Sequence, residues 1–276
     1  QVREVQASKA LAQAQVEQYR AVLDADQAHL REIQKGARAE DIKVTKTRVD
    51  NAKKSLEDAQ TNLNKVTAKA QTDLQNVYAD VADTANDAYA KSSDAVRTKT
   101  IDIFRRDSSS FYELTFATCN LDLETRAESE RYEIEILLPK WQAQLAALTS
   151  EAPLSQLDAI LADARKNTER VKKFLDTISS LLVLQCPGRE LPPTAYQTSI
   201  NAGITAINTA LSGLNNLSQT IESQKKLNEA ALQTAQASLT QAQNTLTSSE
   251  DELVLKQAKA TPEQIAIQQA KVRQSQ

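Results

Sequence analysis

A helix-breaking motif that occurs twice, 223 residues apart, constrains this chain more than any other feature. Gly36-Ala37-Arg38-Ala39-Glu40-Asp41-Ile42 near one end aligns with Lys259-Ala260-Thr261-Pro262-Glu263-Gln264-Ile265 near the other. The match extends outward at the same offset: Leu30 with Leu253, Gln34 with Gln257, Val44 with Ile267, Arg48 with Lys271 and Val49 with Val272. A duplicated element at both ends implies two similar arms around something different. In the second copy Thr261 can cap a helix, Pro262 fits its first turn and Gln264 completes a capping box. In the first copy Gly36 ends the preceding helix. Arg38 stands where the second copy has its Thr cap, which predicts a softer break.

Both arms carry coiled-coil spacing. In the leading stretch Val2, Val16, Leu23 and Leu30 share one row and Val5, Ala12, Tyr19 and Ile33 the next, with Lys9 and Asp26 interrupting. After Gly36 the sevenfold spacing is stricter, through Ile42, Val49, Leu56, Leu63, Ala70 and Val77, with Ala52, Ala59 and Val66 three residues after their partners. The far arm repeats it with Leu232, Leu239, Leu246 and Leu253, alternating with Ala235, Ala242 and Ser249. Seams of alternating large and small residues let backbones approach closely. The two arms are therefore predicted to pair as an antiparallel hairpin, with Leu56 and Leu63 facing the row Leu232, Leu239, Leu246. Gly36 and Ala260 should then be near neighbours, and the segments beyond them should fray.

Between the arms the apolar pattern broadens. Helical spacing continues through Tyr78, Val81, Ala85, Ala88, Ser92 and Val96 to about Phe104, unbroken from Ile42. Arg105-Arg106-Asp107-Ser108-Ser109-Ser110 reads as a loop. A second helix is expected from about Asn120 to Thr149, with Leu123, Ala127, Ile134, Leu137, Trp141 and Leu148 inward and a kink at Pro139. Ser150-Glu151-Ala152-Pro153 reads as a tight turn. The third helix has rows Leu154, Leu161, Leu175, Leu182 and Leu157, Ala164, Val171, Ile178, and Cys186-Pro187-Gly188 stops it. Thr194 opens the fourth, through Tyr196, Ile200, Ile204, Ile207, Leu211, Leu214 and Ile221. Four amphipathic helices joined by short turns make an up-down-up-down bundle. The fold class is thus all-α, a long antiparallel coiled-coil hairpin continuing into a four-helix bundle. The expected divisions are an ascending arm over residues 1–72 (break near 36–40), a bundle over 73–222, and a descending arm over 223–276 (break near 259–262).

Composition agrees and narrows function by exclusion. Phe, Trp and Tyr make only 4% of the chain, with four Gly and six Pro, while Ala, Gln, Leu, Lys and Glu abound. The net charge is −3 with both signs interspersed, so no basic stripe suggests nucleic acid. No run of about 18 apolar residues offers a membrane span. The chain opens and closes inside helical patterns and contains no Met, which reads as an internal stretch of a longer protein. His29, the one histidine, sits among polar residues and reads as a solvated side chain. No Glu-x-x-His pair, Gly-rich phosphate loop, nucleophile elbow or Cys-x-x-Cys knuckle is present. Glu128, Glu130, Glu133 and Glu135 read as a solvated helix face rather than a cation site, and Trp141 as core. Tyr89, Tyr112 and Tyr132 suit either a ligand slot or plain packing. No residue is assigned a catalytic, metal or cofactor role, and a non-enzymatic protein is expected.

The paired breaks carry a family resemblance. Leu253-x-Leu-Lys-Gln-Ala-Lys-Ala-Thr-Pro-Glu-Gln-Ile-Ala-Ile-Gln-Gln-Ala-Lys-Val272 resembles the descending hairpin helix of bacterial hemolysin-D-type membrane fusion proteins, the extracytoplasmic adaptors of efflux and export pumps. Leu30 to Ala52 resembles their ascending helix. Trp141-Gln142-Ala143-Gln144-Leu145, Phe174-Leu175-Asp176-Thr177-Ile178 and the stretch from Tyr196 to Leu214 are similar to a helical insert found in some members. The lipoyl-like, β-barrel and membrane-proximal domains of the family are not within the chain. The Arg-Leu-Ser motif at the hairpin tip is also absent, and the bundle occupies that place.

The resemblance implies a structural spacer and interaction module of a transporter adaptor, extracytoplasmic and tethered to the cytoplasmic membrane by flanking sequence. Its partners would be an inner-membrane transporter subunit and other adaptor protomers, through domains outside this stretch, and an envelope protein at the bundle tip. The alternative is a sensory or ligand-binding bundle that relays a signal through its arms. An extracytoplasmic location permits oxidation of Cys119 and Cys186. The up-down order sets both at one end of the bundle, each beside a loop. A disulfide between them is therefore expected, the other reading being two unrelated thiols.

Overall fold

The computed structural model describes residues 2–106, 111–149, 151–188 and 190–276. Among them are seven helices, α1 (Val2–Lys35), α2 (Ala39–Tyr78), α3 (Val81–Arg97), α4 (Leu121–Ala146), α5 (Leu154–Leu182), α6 (Thr194–Gln257) and α7 (Pro262–Ser275). Two three-residue strands, β1 (Phe104–Arg106) and β2 (Tyr112–Leu114), lie between α3 and α4. The protein is all-α apart from this hairpin. It divides into two compact units, residues 1–66 with 231–276, and residues 67–230.

In the first unit the start of α2 packs against the end of α6. Val49, Ala52 and Leu246 are buried together, with Leu56 and Leu253 packed on them. Arg48 donates to both Glu252 oxygens at 2.9 and 3.1 Å, and Lys53 lies 3.8 Å from Glu250. Residue numbers rise along α2 as they fall along α6, so the pairing is antiparallel. α1 packs in turn on α7, where Gln268 and Val272 are the buried residues.

The second unit is a bundle of four strokes: the end of α2 with α3, then α4, α5 and the start of α6. Its core holds Val81, Ala85, Ala88, Ala95 and Val96 from α3, and Ala127, Ile134, Leu138, Trp141 and Leu145 from α4. Val171, Phe174, Leu175 and Ile178 come from α5, and the heptad series Ile200, Ile207, Leu214, Ile221 from α6. A Cβ on Gly203 would lie 3.5 Å from Leu175 and 3.6 Å from Ala95, which shows how closely α6 approaches both α5 and α3. Asn228, buried on α6, donates to the Ala70 carbonyl at 2.8 Å. A polar side chain inside such a seam fixes its register, because any slip strands an unpaired amide.

Several sequence expectations need correction. The first bundle stroke is not one helix to Phe104. It is interrupted at Ala79 and Asp80, and α3 ends at Arg97, where the Thr98 N–H donates to the Asp94 carbonyl. Phe104 instead begins a strand that pairs Phe104 with Leu114, Arg105 with Glu113 and Arg106 with Tyr112. The Phe104 ring is buried by this turn, 5.9 Å from Phe174 and 6.4 Å from Tyr112. Arg105 and Arg106 are therefore strand, while Asp107 to Ser110 of the expected loop lie outside the described residues, as does Ser150 of the expected turn. On α4 the fully buried residue is Leu138, with Leu137 half-buried, because the inward row is 127, 131, 134, 138, 141, 145. That row includes Arg131. α4 continues as one helix through Pro139. Asn120 caps it, accepting from the Leu123 N–H at 3.0 Å.

Candidate functional site

Two places concentrate the residues singled out from sequence. The first is the pair of breaks. Gly36 adopts φ +70°, open to glycine without strain, and its N–H closes α1 on the Glu32 carbonyl at 3.2 Å. At the other break Thr261 accepts from the Gln264 N–H at 3.3 Å, the Gln264 side chain accepts from the Thr261 N–H at 3.0 Å, and Pro262 occupies the first turn of α7. Glu263 follows, held below the usual carboxylate range by its own backbone N–H and the Thr261 hydroxyl. Gly36 and Ala260 line one open cleft of about 540 Å³ with His29, Ile33, Ile267 and Gln268. His29 is exposed, with Nδ1 3.8 Å from Glu32.

The repeat explains what lies just past each break. Thr45 and Gln268 occupy equivalent positions, as do Val49 and Val272, and all four are buried. Each break is followed by the same pattern, a polar residue and then Val turned into the seam. Gln268 Nε2 donates to the Asp26 carbonyl at 3.2 Å, and the Ser275 hydroxyl donates to the Asp26 carboxylate at 2.6 Å. Asp26, an interruption when read as sequence, is the polar layer that holds α1 to α7. Of the other seam residues, Leu56 and Leu239 line one groove, and Ile42, Leu63 and Leu232 are half-buried. The first twenty or so residues of α1 are exposed almost throughout, Val2, Val5, Val16 and Tyr19 included.

The second place is the disulfide-bonded end of the bundle. Cys119 and Cys186 form a disulfide with Cα atoms 5.6 Å apart, inside the 4.4–6.8 Å that such bonds span. The Cys119 N–H also donates to Cys186 Sγ at 3.0 Å. Disulfides form and persist chiefly in oxidising compartments such as those outside the cytoplasm, and this bond suggests such an environment. The bond ties the entry of α4 to the segment leaving α5, and Phe116 packs on Tyr196 beside it.

The glutamate run of α4 binds this region together rather than standing free in solvent. Glu128 accepts from the Leu114 N–H at 3.1 Å and so closes the β2 edge. Burial pushes its carboxyl up, helped by Glu124 and Glu113, against the bond from Leu114. Glu130 pairs with Lys173 at 3.7 Å and Glu133 with Arg170 at 2.9 Å. Burial also pushes Glu135 up, but Arg131 and Arg97 outweigh it and hold the carboxyl below its usual range. Arg131 is buried because Glu135 takes its charge at 2.7 Å and the Tyr112 ring lies 4.1 Å beneath it. At the opposite end Tyr78 donates to Asp158, which also accepts from Lys225 at 3.0 Å. Burial, then Asp158, raises the Tyr78 phenol. The Tyr78 hydroxyl raises Lys225 against its desolvation, with Asp158 adding to the effect.

Tyr89, Tyr112 and Tyr132 line no common slot. Tyr89 meets Trp141 edge-on at 5.4 Å, Tyr112 lies against Arg131, and Tyr132 against Phe111 at 5.8 Å. Among the described residues no group of three His, Cys, Asp or Glu side chains could hold a metal ion, and no helix is long and apolar enough to cross a membrane.

No family model and no curated protein matches the sequence. A solved structure, a computationally designed three-helix bundle, aligns over 93% of this chain and 98% of its own at 10% identity and a TM-score of 0.23. A superposition that loose carries no argument about this protein.

Proposed function

We propose that this chain is the helical hairpin of an extracytoplasmic transporter adaptor of the hemolysin-D type, extended by a four-helix bundle. In this reading it works without catalysis, as a spacer and an interaction module in efflux or export. The observation that carries the reading is the pair of breaks. Two copies of one motif, 223 residues apart in sequence, line a single cleft, as expected of a hairpin whose arms change direction together at a fixed height. The disulfide supports the extracytoplasmic part. The arms would serve the transporter and neighbouring protomers through flanking domains, and the disulfide-bonded bundle end would face another envelope protein.

Photo-crosslinking in cells tests the proposal. Photoreactive residues placed through the flanking domains of the full-length protein should capture an inner-membrane transporter subunit, and one at Val183 or Leu191, both exposed and close to Cys186 in sequence, should capture another envelope protein. Crosslinks confined to a receptor or kinase would overturn the adaptor reading and favour the relay bundle.

A further inference from the structure

We infer that the joint between α2 and α3 is a hinge, and that Tyr78, Asp158 and Lys225 form the latch that holds it shut. Neither Gly nor Pro stands between Gln75 and Thr84, so the interruption is not of the kind those residues impose. It falls where the inward row changes step. The sevenfold row through Val49, Leu56, Leu63 and Ala70 reaches Val77, whereas the buried row of the bundle is Tyr78, Ala85 and Ser92, with Val81, Ala88 and Ala95 beside it. One residue is about 100° around a helix, and the break takes up that step. The unshifted rows would have put Asp80, Asp87, Lys91 and Asp94 inward. The Ala79 N–H is the last of α2 to reach a carbonyl one turn back, that of Gln75 at 3.1 Å. The Thr84 N–H is the first of α3 to do so, on Asp80 at 3.0 Å. Asp80 itself takes φ −82° and ψ −4°, and its side chain caps nothing.

Firm parts lie on either side. About two turns before the joint, Asn228 holds the Ala70 carbonyl at 2.8 Å. Beyond it α3 is packed into the bundle core from Val81 to Val96. Packing against α6 is looser near the joint than away from it. A Cβ on Gly213 would meet Thr84 alone, at 3.9 Å, against 3.5 and 3.6 Å for the contacts at Gly203. Tyr78, Ala79 and Ala82 also line an open cleft of about 640 Å³ with Leu154 and Leu157 of α5, so the joint borders space in which to move. What closes it is polar. The Tyr78 hydroxyl, on the last residue of α2, donates to Asp158 of α5. Lys225 of α6 donates to the same carboxylate at 3.0 Å and lies 5.5 Å from the centre of the Tyr78 ring. One carboxylate thus ties α2, α5 and α6 together. The Asp158 side chain is 45% exposed, where water competes for it. Apolar core contacts give way only with the bundle, whereas a latch open to water can release locally.

Hydrogen exchange of the whole chain, read amide by amide, tests the inference. The Ala79 and Thr84 amides should exchange at least ~100-fold faster than those of Ala88 to Val96, since a hinge opens without unfolding the core. Tyr78→Phe keeps the ring and removes the hydroxyl. It should speed Ala79 and Thr84 at least ~10-fold, as loss of one hydrogen bond to a charged acceptor does, and leave Ala88 to Val96 within ~3-fold. Asp158→Ala should do the same, and the double variant no more than either alone, because both break the same latch. Tyr89→Phe, which removes a hydroxyl bound to Gln142 at 3.0 Å, should leave Ala79 and Thr84 unchanged. Circular dichroism and Trp141 emission confirm that each variant is folded. Protection as strong at Ala79 and Thr84 as in the rest of α3 overturns the inference. So does a Tyr78→Phe variant that changes neither amide, or that speeds every amide of the bundle alike.

Discussion

Removal of the Cys119–Cys186 disulfide should destabilise the bundle by roughly 4 kcal/mol. The bond joins residues 67 positions apart, and closing a loop of that length removes unfolded-chain entropy worth roughly 4 kcal/mol at 25 °C. The folded side of the balance changes little. Asn120 still caps α4 through the Leu123 N–H, Phe116 still packs on Tyr196, and both cysteines lie outside the helices. The chain has one Trp, and Trp141 is 1% exposed in the bundle core, so its emission follows residues 67–230 and not the hairpin unit. Urea titrations of the oxidised protein and of Cys119→Ser/Cys186→Ser should therefore differ in midpoint. The m-value should also be larger in the variant, because the uncrosslinked denatured chain exposes more surface. For a unit of this size the melting temperature should fall on the order of 10 °C. A loss below about 1 kcal/mol with an unchanged m-value would refute the argument, since a restrained denatured state must show in both.

Other substitutions test other parts of the structure. Gly203→Ala should stabilise the bundle by about 0.5–1 kcal/mol in the same titration, because α6 gains a better helix former and the new Cβ meets its neighbours at ordinary contact distances of 3.5–3.7 Å. Glu128→Gln keeps an acceptor for the Leu114 N–H and removes a charge that burial disfavours. It should match or exceed the wild type near pH 7 and lose that advantage as acid protonates Glu128, whereas Glu128→Ala should cost about 1 kcal/mol for the orphaned N–H. Glu135 behaves oppositely. Its folded carboxyl is held down, so its contribution is present above the ordinary carboxylate range and lost as pH falls through the depressed value, and Glu135→Gln should flatten the acid limb of a stability–pH curve. Thr261→Ala removes the cap of α7 and should cost about 1 kcal/mol. Faster amide exchange across residues 262–275, with Trp141 emission unchanged, is the expected signature.

Periodicity alone determined most of the helical architecture. Sevenfold rows of Leu, Val and Ala place each helix and its buried face, since 3.6 residues per turn leaves little freedom once the apolar stripe is set. Punctuation fixed the ends equally well: Gly36, Thr261-Pro262 and Thr194 start or stop helices where their backbone preferences demand. What sequence could not give were features whose energy comes from residues far along the chain. Phe104 to Arg106 is strand only because Tyr112 to Leu114 and Glu128 satisfy its neighbour, and three residues carry no readable alternation. Arg131 looks like a surface residue until Glu135 and the Tyr112 ring are brought around it. The glutamates of α4 read as solvated for the same reason, their partners being supplied by β2, α3 and α5. Asp26 reads as a flaw in a seam until Gln268 and Ser275, some 240 residues later, arrive to bond it. An apolar stripe announces itself locally because water is its counterpart everywhere. A buried polar group is stable only with one particular partner, and only the tertiary structure says which.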